Sequence, residues 1–158
     1  MSTKGGGTAQ NEEEVSIWTD SSTKDVIARV FDYGPGYIWI VSETVRPMQS
    51  EDEFEKLSHC NFQDMALCVE DSFRNQNKHS DLTKKIEELN PRLFRGWKGL
   101  LELGLEQSDL LRSDHWGKTS DGRIVVLDYG FTEKVWTNFY KEIPSSEEEF
   151  PGSHDFGE

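Results

Sequence analysis

The spacing of apolar residues changes twice along this chain, and that change limits the folds open to it. Residues 26–31 and 37–41 are β-branched and aromatic runs separated by Asp32-Tyr-Gly-Pro-Gly36, whose glycines and proline suit a turn. They predict a hairpin. From Phe62 onward the apolar positions Met65, Ala66, Val69 and Phe73 recur every three or four residues, one stripe of a helix over about 61–75, with Cys68 close to it. Ser50 with Glu53 is a capping pair that predicts a short helix toward Leu57. Ser80 is placed to cap a third helix through Leu89, and Pro91 stands near the start of a fourth carrying Leu93, Phe94, Trp97, Leu100, Leu101 and Leu105. Gly96, Gly99 and Gly104 each weaken that helix by up to about 1 kcal/mol, so close packing is the expected reason for them. The period then returns to β: residues 123–127 form a strand after the turn 119–122, and residues 131–140 add one more short strand or helix. Hairpin, helices and a short β element together predict an α+β domain in which helices dominate. Its expected core contains Trp39, Phe62, Met65, Val69, Leu93, Trp97, Leu101, Ile124 and Val126.

Charge divides the chain into three parts. Of the net −13 carried by 158 residues, residues 1–22 supply −3 and residues 142–158 supply −6, which leaves a mildly acidic middle. Both ends are poor in apolar groups and rich in acids or glycine, and are expected to be disordered tails flanking one domain at 23–141. The longest apolar run, residues 124–127, is too short to cross a bilayer, and the N-terminus has no secretion signal, so a cytoplasmic protein is expected. Cys60 and Cys68 are too few for a disulfide framework and are read as reduced thiols on a helix. A zinc site from His59, Cys60, Cys68 and His79 would need a more regular spacing than this. The acidity argues against direct nucleic-acid binding. It admits mimicry of DNA toward a DNA-binding protein, but most of the charge lies in the ends and makes a poor copy of a duplex. Arg92, Arg95 and Lys98 are expected to form a solvated helix face.

One segment carries candidate chemistry. Residues 109–130 place Asp109 at a helix end, Asp114 five positions later, then a turn, a strand, and Asp128 followed by Tyr129 and Gly130. Each acid has a plain structural reading as a turn cap or strand end, and His115-Trp116 reads as a packed turn. The order nevertheless resembles the catalytic loop and metal-binding Asp-Phe-Gly segment of the protein-kinase-like phosphotransferases, particularly the aminoglycoside and choline kinase branch and its viral relatives. The resemblance implies that Asp109 orients an acceptor hydroxyl and that Asp114 and Asp128 hold a hard cation such as Mg²⁺. An alternative register gives the metal position to His115 and the catalytic position to Leu110. Upstream, residues 28–32 and 37–47 resemble the paired strands leading into the hinge of that family, with the hinge at 43–47, so Glu43 and Val45 are implied to meet a nucleotide base through their backbone groups.

The resemblance covers about residues 26–131 and implies a kinase-like larger lobe. No G-x-G-x-x-G followed by a β run, and no strand lysine, precedes Val26. The expected function is therefore that of a degenerate kinase-like protein: a binding or regulatory module, viral in the resemblance, directed at a host or virion protein in the host cytoplasm. Its cofactor is none, or a vestigial Mg-ATP. The alternative is a small phosphotransferase using Asp109, Asp114 and Asp128.

Overall fold

The computed structural model describes residues 6–20, 23–127 and Tyr129. The expected α+β order is present. Among these residues are six helices and two small antiparallel sheets. Helix α1 (Gly6–Asp20) leads into a hairpin of β1 (Val30–Tyr33) and β2 (Ile40–Ser42). Strand β3 (Val45–Pro47) follows, then α2 (Glu51–Ser58), α3 (Phe62–Arg74), α4 (Ser80–Leu89), α5 (Pro91–Glu102) and the single turn α6 (Gln107–Leu110). Strands β4 (Trp116–Thr119) and β5 (Ile124–Val126) close the described fold and join β3 in the order β3-β4-β5. No helix among the described residues is long and apolar enough to cross a membrane.

Local chemistry explains the helix boundaries. The Ser50 hydroxyl accepts from the Glu53 N–H at 3.2 Å to start α2, and Asn61 does the same for Asp64 at 3.1 Å to start α3. Asn90 caps α5 through Leu93 N–H at 3.2 Å, ahead of Pro91. Ser80 is the first residue of α4 and not its cap. His79 holds the N-cap position without a side-chain bond, and the buried Asp71 carboxylate, on α3, fixes the turn ahead of α4 by accepting from the N–H groups of Lys78 at 3.0 Å and His79 at 3.2 Å. A tie of this kind from the preceding helix is invisible to a local pattern.

The core gathers around Phe54, Phe62, Trp97 and Trp116, all buried, with Phe54 edge-on to Phe62 at 4.8 Å between ring centroids and Trp97 tilted against Trp116 at 4.7 Å. The Trp97 indole donates to Gln107 Oε1 at 2.9 Å, and the Gln107 amide donates to the Ala66 carbonyl at 3.1 Å, which ties α5, α6 and α3 together. Gly96 and Gly99 are small for the expected reason. A Cβ at Gly96 would stand 2.4 Å from Val26 Cγ1, and one at Gly99 would stand 2.5 Å from Thr23 Cγ2. Gly104 has a different reason: it lies beyond α5 with φ +98°, open space around it, and a backbone that L side chains rarely adopt.

Several expectations are corrected. Residues 1–22 were expected to be a disordered tail, yet Gly6–Asp20 is a helix that buries Ala9, Val15 and Ile17 and lies against the hairpin, where Asn11 donates to the Tyr37 carbonyl at 2.8 Å. Those three positions are six and two apart, so no helical stripe is legible. Trp39 is not a core residue: 44% of it is exposed, its indole laid across Gly34. Phe73 is exposed at the end of α3. Cys68 is on α3 as expected, but Cys60 sits in the bend after α2; both thiols are buried and free. Residues 131–140, the tail 142–158 and Asp128 lie outside the described residues.

Candidate functional site

The segment singled out from sequence is built around Trp116. Its indole donates to the Leu110 carbonyl at 2.9 Å, and its own carbonyl accepts from Met48 N–H at 2.8 Å, so the ring pins α6 against the start of β4. It is buried as expected, in a strand instead of a turn. The loop between them closes through His115, whose Nδ1 bonds the Asp109 carbonyl oxygen at 2.8 Å and whose carbonyl accepts from Leu127 N–H at 2.8 Å. Asp109 is half-buried on α6. Leu110 is 1% exposed and points into the core, so in the alternative register the position of the catalytic acid is occupied by a packing residue.

Asp114 faces water on the short turn Ser113–His115. The Arg112 guanidinium grips it with two bonds, Nε to Oδ1 at 3.2 Å and Nη2 to Oδ2 at 2.9 Å, and this pairing holds its carboxyl below the usual carboxylate range. Each oxygen of this exposed carboxylate thus accepts one bond from the guanidinium. Among the described residues no three His, Cys, Asp or Glu side chains gather as a metal group, and the suggested zinc quartet is not assembled. Burial pushes both the Cys60 and Cys68 thiols up, away from the thiolate form that metals need.

Glu43 and Val45 lie at the junction of the two sheets. The Glu43 N–H donates to the Arg29 carbonyl at 2.8 Å, its carboxylate accepts from the Arg29 N–H at 3.2 Å, and Arg123 pairs with the same oxygen. Val45 sits in β3 opposite Thr119. The backbone of this implied hinge is thus engaged within the sheet system, and Asp109 on α6 and Asp114 on the turn after it stand apart from it.

Two features escaped the sequence reading. One is a cleft of about 360 Å³ whose lining includes Asp25, Leu57, Arg92, Leu93, Asp121 and Arg123. Its charges are paired: Arg92 lies 3.7 Å from Asp25, and Arg123 Nε lies 3.3 Å from Asp121. Arg92 and Arg95 are exposed as expected of a solvated face, with Lys98 half-buried. The other feature is the hairpin surface, where Phe31 (63%), Tyr33, Ile38 (66%), Trp39 and Val41 are all exposed. The apolar runs at 26–31 and 37–41 were the available signal, read only as a hairpin, with Trp39 assigned to the core. No protein-family model matches this chain, and no curated protein or solved structure matches it.

Proposed function

We propose that this chain is a degenerate kinase-like protein that works as a binding or regulatory module, with a protein partner docking on the β1–β2 hairpin. The observation that carries this reading is the exposed apolar surface of that hairpin. Five large apolar side chains on one two-stranded element exceed the scattered singles normal on a soluble surface, and aromatic residues are the typical anchors of protein interfaces. The exposed Asp32 and the net −13 of the chain select a partner whose apolar centre is flanked by basic groups, and they oppose nucleic acid.

The non-catalytic part of the reading is supported by Asp114. A carboxylate held by a bidentate guanidinium is a weaker ligand for Mg²⁺ than a free one, and charge neutralisation by the metal supplies much of the rate in phosphoryl transfer. Asp109 is the acceptor-orienting residue only in the phosphotransferase alternative, with Asp114 and Asp128 on the metal. Free, buried Cys60 and Cys68 fit a reducing compartment, the cytoplasm, which would be that of a host if the chain is viral.

The test has two arms. Calorimetry of the full chain with Mg-ATP should give no saturable heat, whereas ATP turnover abolished by Asp109→Ala would reverse the non-catalytic reading. Immobilised full chain should retain a basic protein that the Phe31→Ser/Trp39→Ser variant does not retain. Equal retention by both would remove the hairpin as the docking surface.

A further inference from the structure

The two strands of the hairpin are guarded differently. In β1 the register shifts between Val30 and Asp32, which leaves Phe31 as an extra, bulged residue, and α1 lies against this strand and the turn at 35–37. Strand β2 runs without a bulge, since Ile40, Val41 and Ser42 are consecutive partners in the ladder. Residues 37–42 also lack the lysine or proline that guards many natural sheet edges. Backbone bonds fix which groups of β2 face outward. The Trp39 carbonyl accepts from Gly34 N–H at 2.9 Å and the Glu43 N–H donates to the Arg29 carbonyl at 2.8 Å, so residues 39, 41 and 43 turn their bonding groups toward β1. Neighbouring residues of a strand turn theirs the opposite way. The N–H and C=O groups of Ile40 and Ser42 therefore point away from β1, and among the described residues no strand and no side chain bonds them.

We infer that β2 accepts one more strand on this edge: an extended segment of the protein partner, apolar in its middle and bearing Lys or Arg at its ends. The inference rests on the reading of the hairpin as the docking surface and states the form in which the partner arrives. An added strand satisfies the outward groups of Ile40 and Ser42 with main-chain hydrogen bonds, while its side chains alternate between the two faces of the hairpin. The apolar surface they meet is the one exposed at Val41 and Trp39. The charge of the partner follows from what surrounds the edge. Residues 30–42 hold one acid, Asp32, and no Lys or Arg. The flanking bases Arg29 and Arg46 are matched by Asp121 and Glu53, whereas Asp32 makes no ion pair with another described residue. A second copy of the chain fits less well, because its own β2 brings no base to Asp32 and the whole chain adds another −13.

Amide hydrogen exchange of the full chain, read by NMR with and without the end-blocked peptide Lys-Val-Thr-Val-Thr-Val-Lys, tests it. The Ile40 and Ser42 amides should exchange quickly in the free chain and several-fold more slowly with the peptide, a larger change than at Val41, whose N–H already faces β1. The fully N-methylated peptide, which keeps the side chains and loses the donors, should have no effect. Ser42→Pro removes one outward donor and no bond to β1, so it should abolish the slowing while the Trp97 and Leu100 amides stay protected. No slowing up to the solubility of the peptide, or equal slowing by its N-methylated form, would overturn the inference. So would Ile40 and Ser42 amides already protected in the free chain: independent of protein concentration, this means an edge filled from within the molecule, and rising with concentration, a second copy. Retention of a basic protein that is lost in Phe31→Ser/Trp39→Ser but unchanged in Ser42→Pro would sink the inference and leave the proposed function standing. Peptide-dependent slowing without any hairpin-dependent retention would do the opposite.

Discussion

Arg123 and Glu43, eighty positions apart, pair at the joint between the two sheets, and the same carboxylate accepts the Arg29 N–H at 3.2 Å. Both side chains are largely buried, with 13% and 9% of their surface exposed. Removing one partner strands a charge in a poorly hydrated place, whereas removing both does not. Arg123→Met should therefore cost about 3 kcal/mol. Adding Glu43→Gln to it should cost less than the two single changes together. Urea denaturation of the four proteins in this cycle measures the coupling, and additive costs would mean that the pair is incidental.

Tyr129 should report on alkaline unfolding. Burial holds its phenol well above the ordinary range, with the charge of Glu14 acting in the same direction. An acid whose folded value is raised favours folding in its neutral form, so its contribution is complete below the unfolded tyrosine value near about 10 and is lost as pH rises beyond it. Ultraviolet titration should show one tyrosine ionising only with loss of the fold. Tyr129→Phe should remove that alkaline loss and cost about 1 kcal/mol at neutral pH through the lost bond to Ala28.

At Asp114 the expected effect lies in titration and hardly at all in stability. The depressed carboxyl contributes stability above the unfolded aspartate value, and that contribution disappears as pH falls through the lower folded value. The pair with Arg112 is more than half exposed, so water and salt screen it. Arg112→Gln should bring the Asp114 carboxyl back toward the ordinary aspartate range in a carbon-detected NMR titration, with no resolvable change in melting temperature. The same substitution should make Asp114 a better Mg²⁺ ligand, seen as a shift of its carboxyl resonance on adding Mg²⁺ that the wild type lacks.

Gly96→Ala sets helix propensity against packing. Alanine gains up to about 1 kcal/mol in a helix interior. The new methyl would meet Val26 at 2.4 Å, and overpacking of this kind costs about 1 to 3 kcal/mol. The net change should be destabilising. Combining it with Val26→Ala should recover part of the loss, because the smaller neighbour leaves room; thermal unfolding of the single and double variants decides this.

Local sequence was sufficient where the controlling interaction is local. The hairpin turn, the Ser50 cap, the α3 stripe at Phe62, Met65 and Val69, Pro91 at the start of α5, and the 119–122 turn were all legible, because each is set by side chains within about one helical turn or one β-turn. The small size of Gly96 and Gly99 was also anticipated, although the residues that require it, Val26 and Thr23, lie some seventy positions earlier and come into view only in the fold.

Tertiary structure decided what depends on distant partners. Helix α1 has no apolar stripe, and it is defined by the surface it lies on; composition alone described it as a tail. Trp39 has the chemistry of a core residue, but a two-stranded hairpin offers too little cover to bury it. The roles of Glu43 and Asp114 were equally beyond a linear reading, since a carboxylate reads the same whether a guanidinium holds it, a cation needs it or water surrounds it. Sequence by itself determined the hairpin, the helices from α2 to α5, the strand at residues 124–126 and which acids are available. Only the packed chain determined which acids are already neutralised and which apolar residues remain uncovered, because burial and charge pairing are properties of neighbours in space.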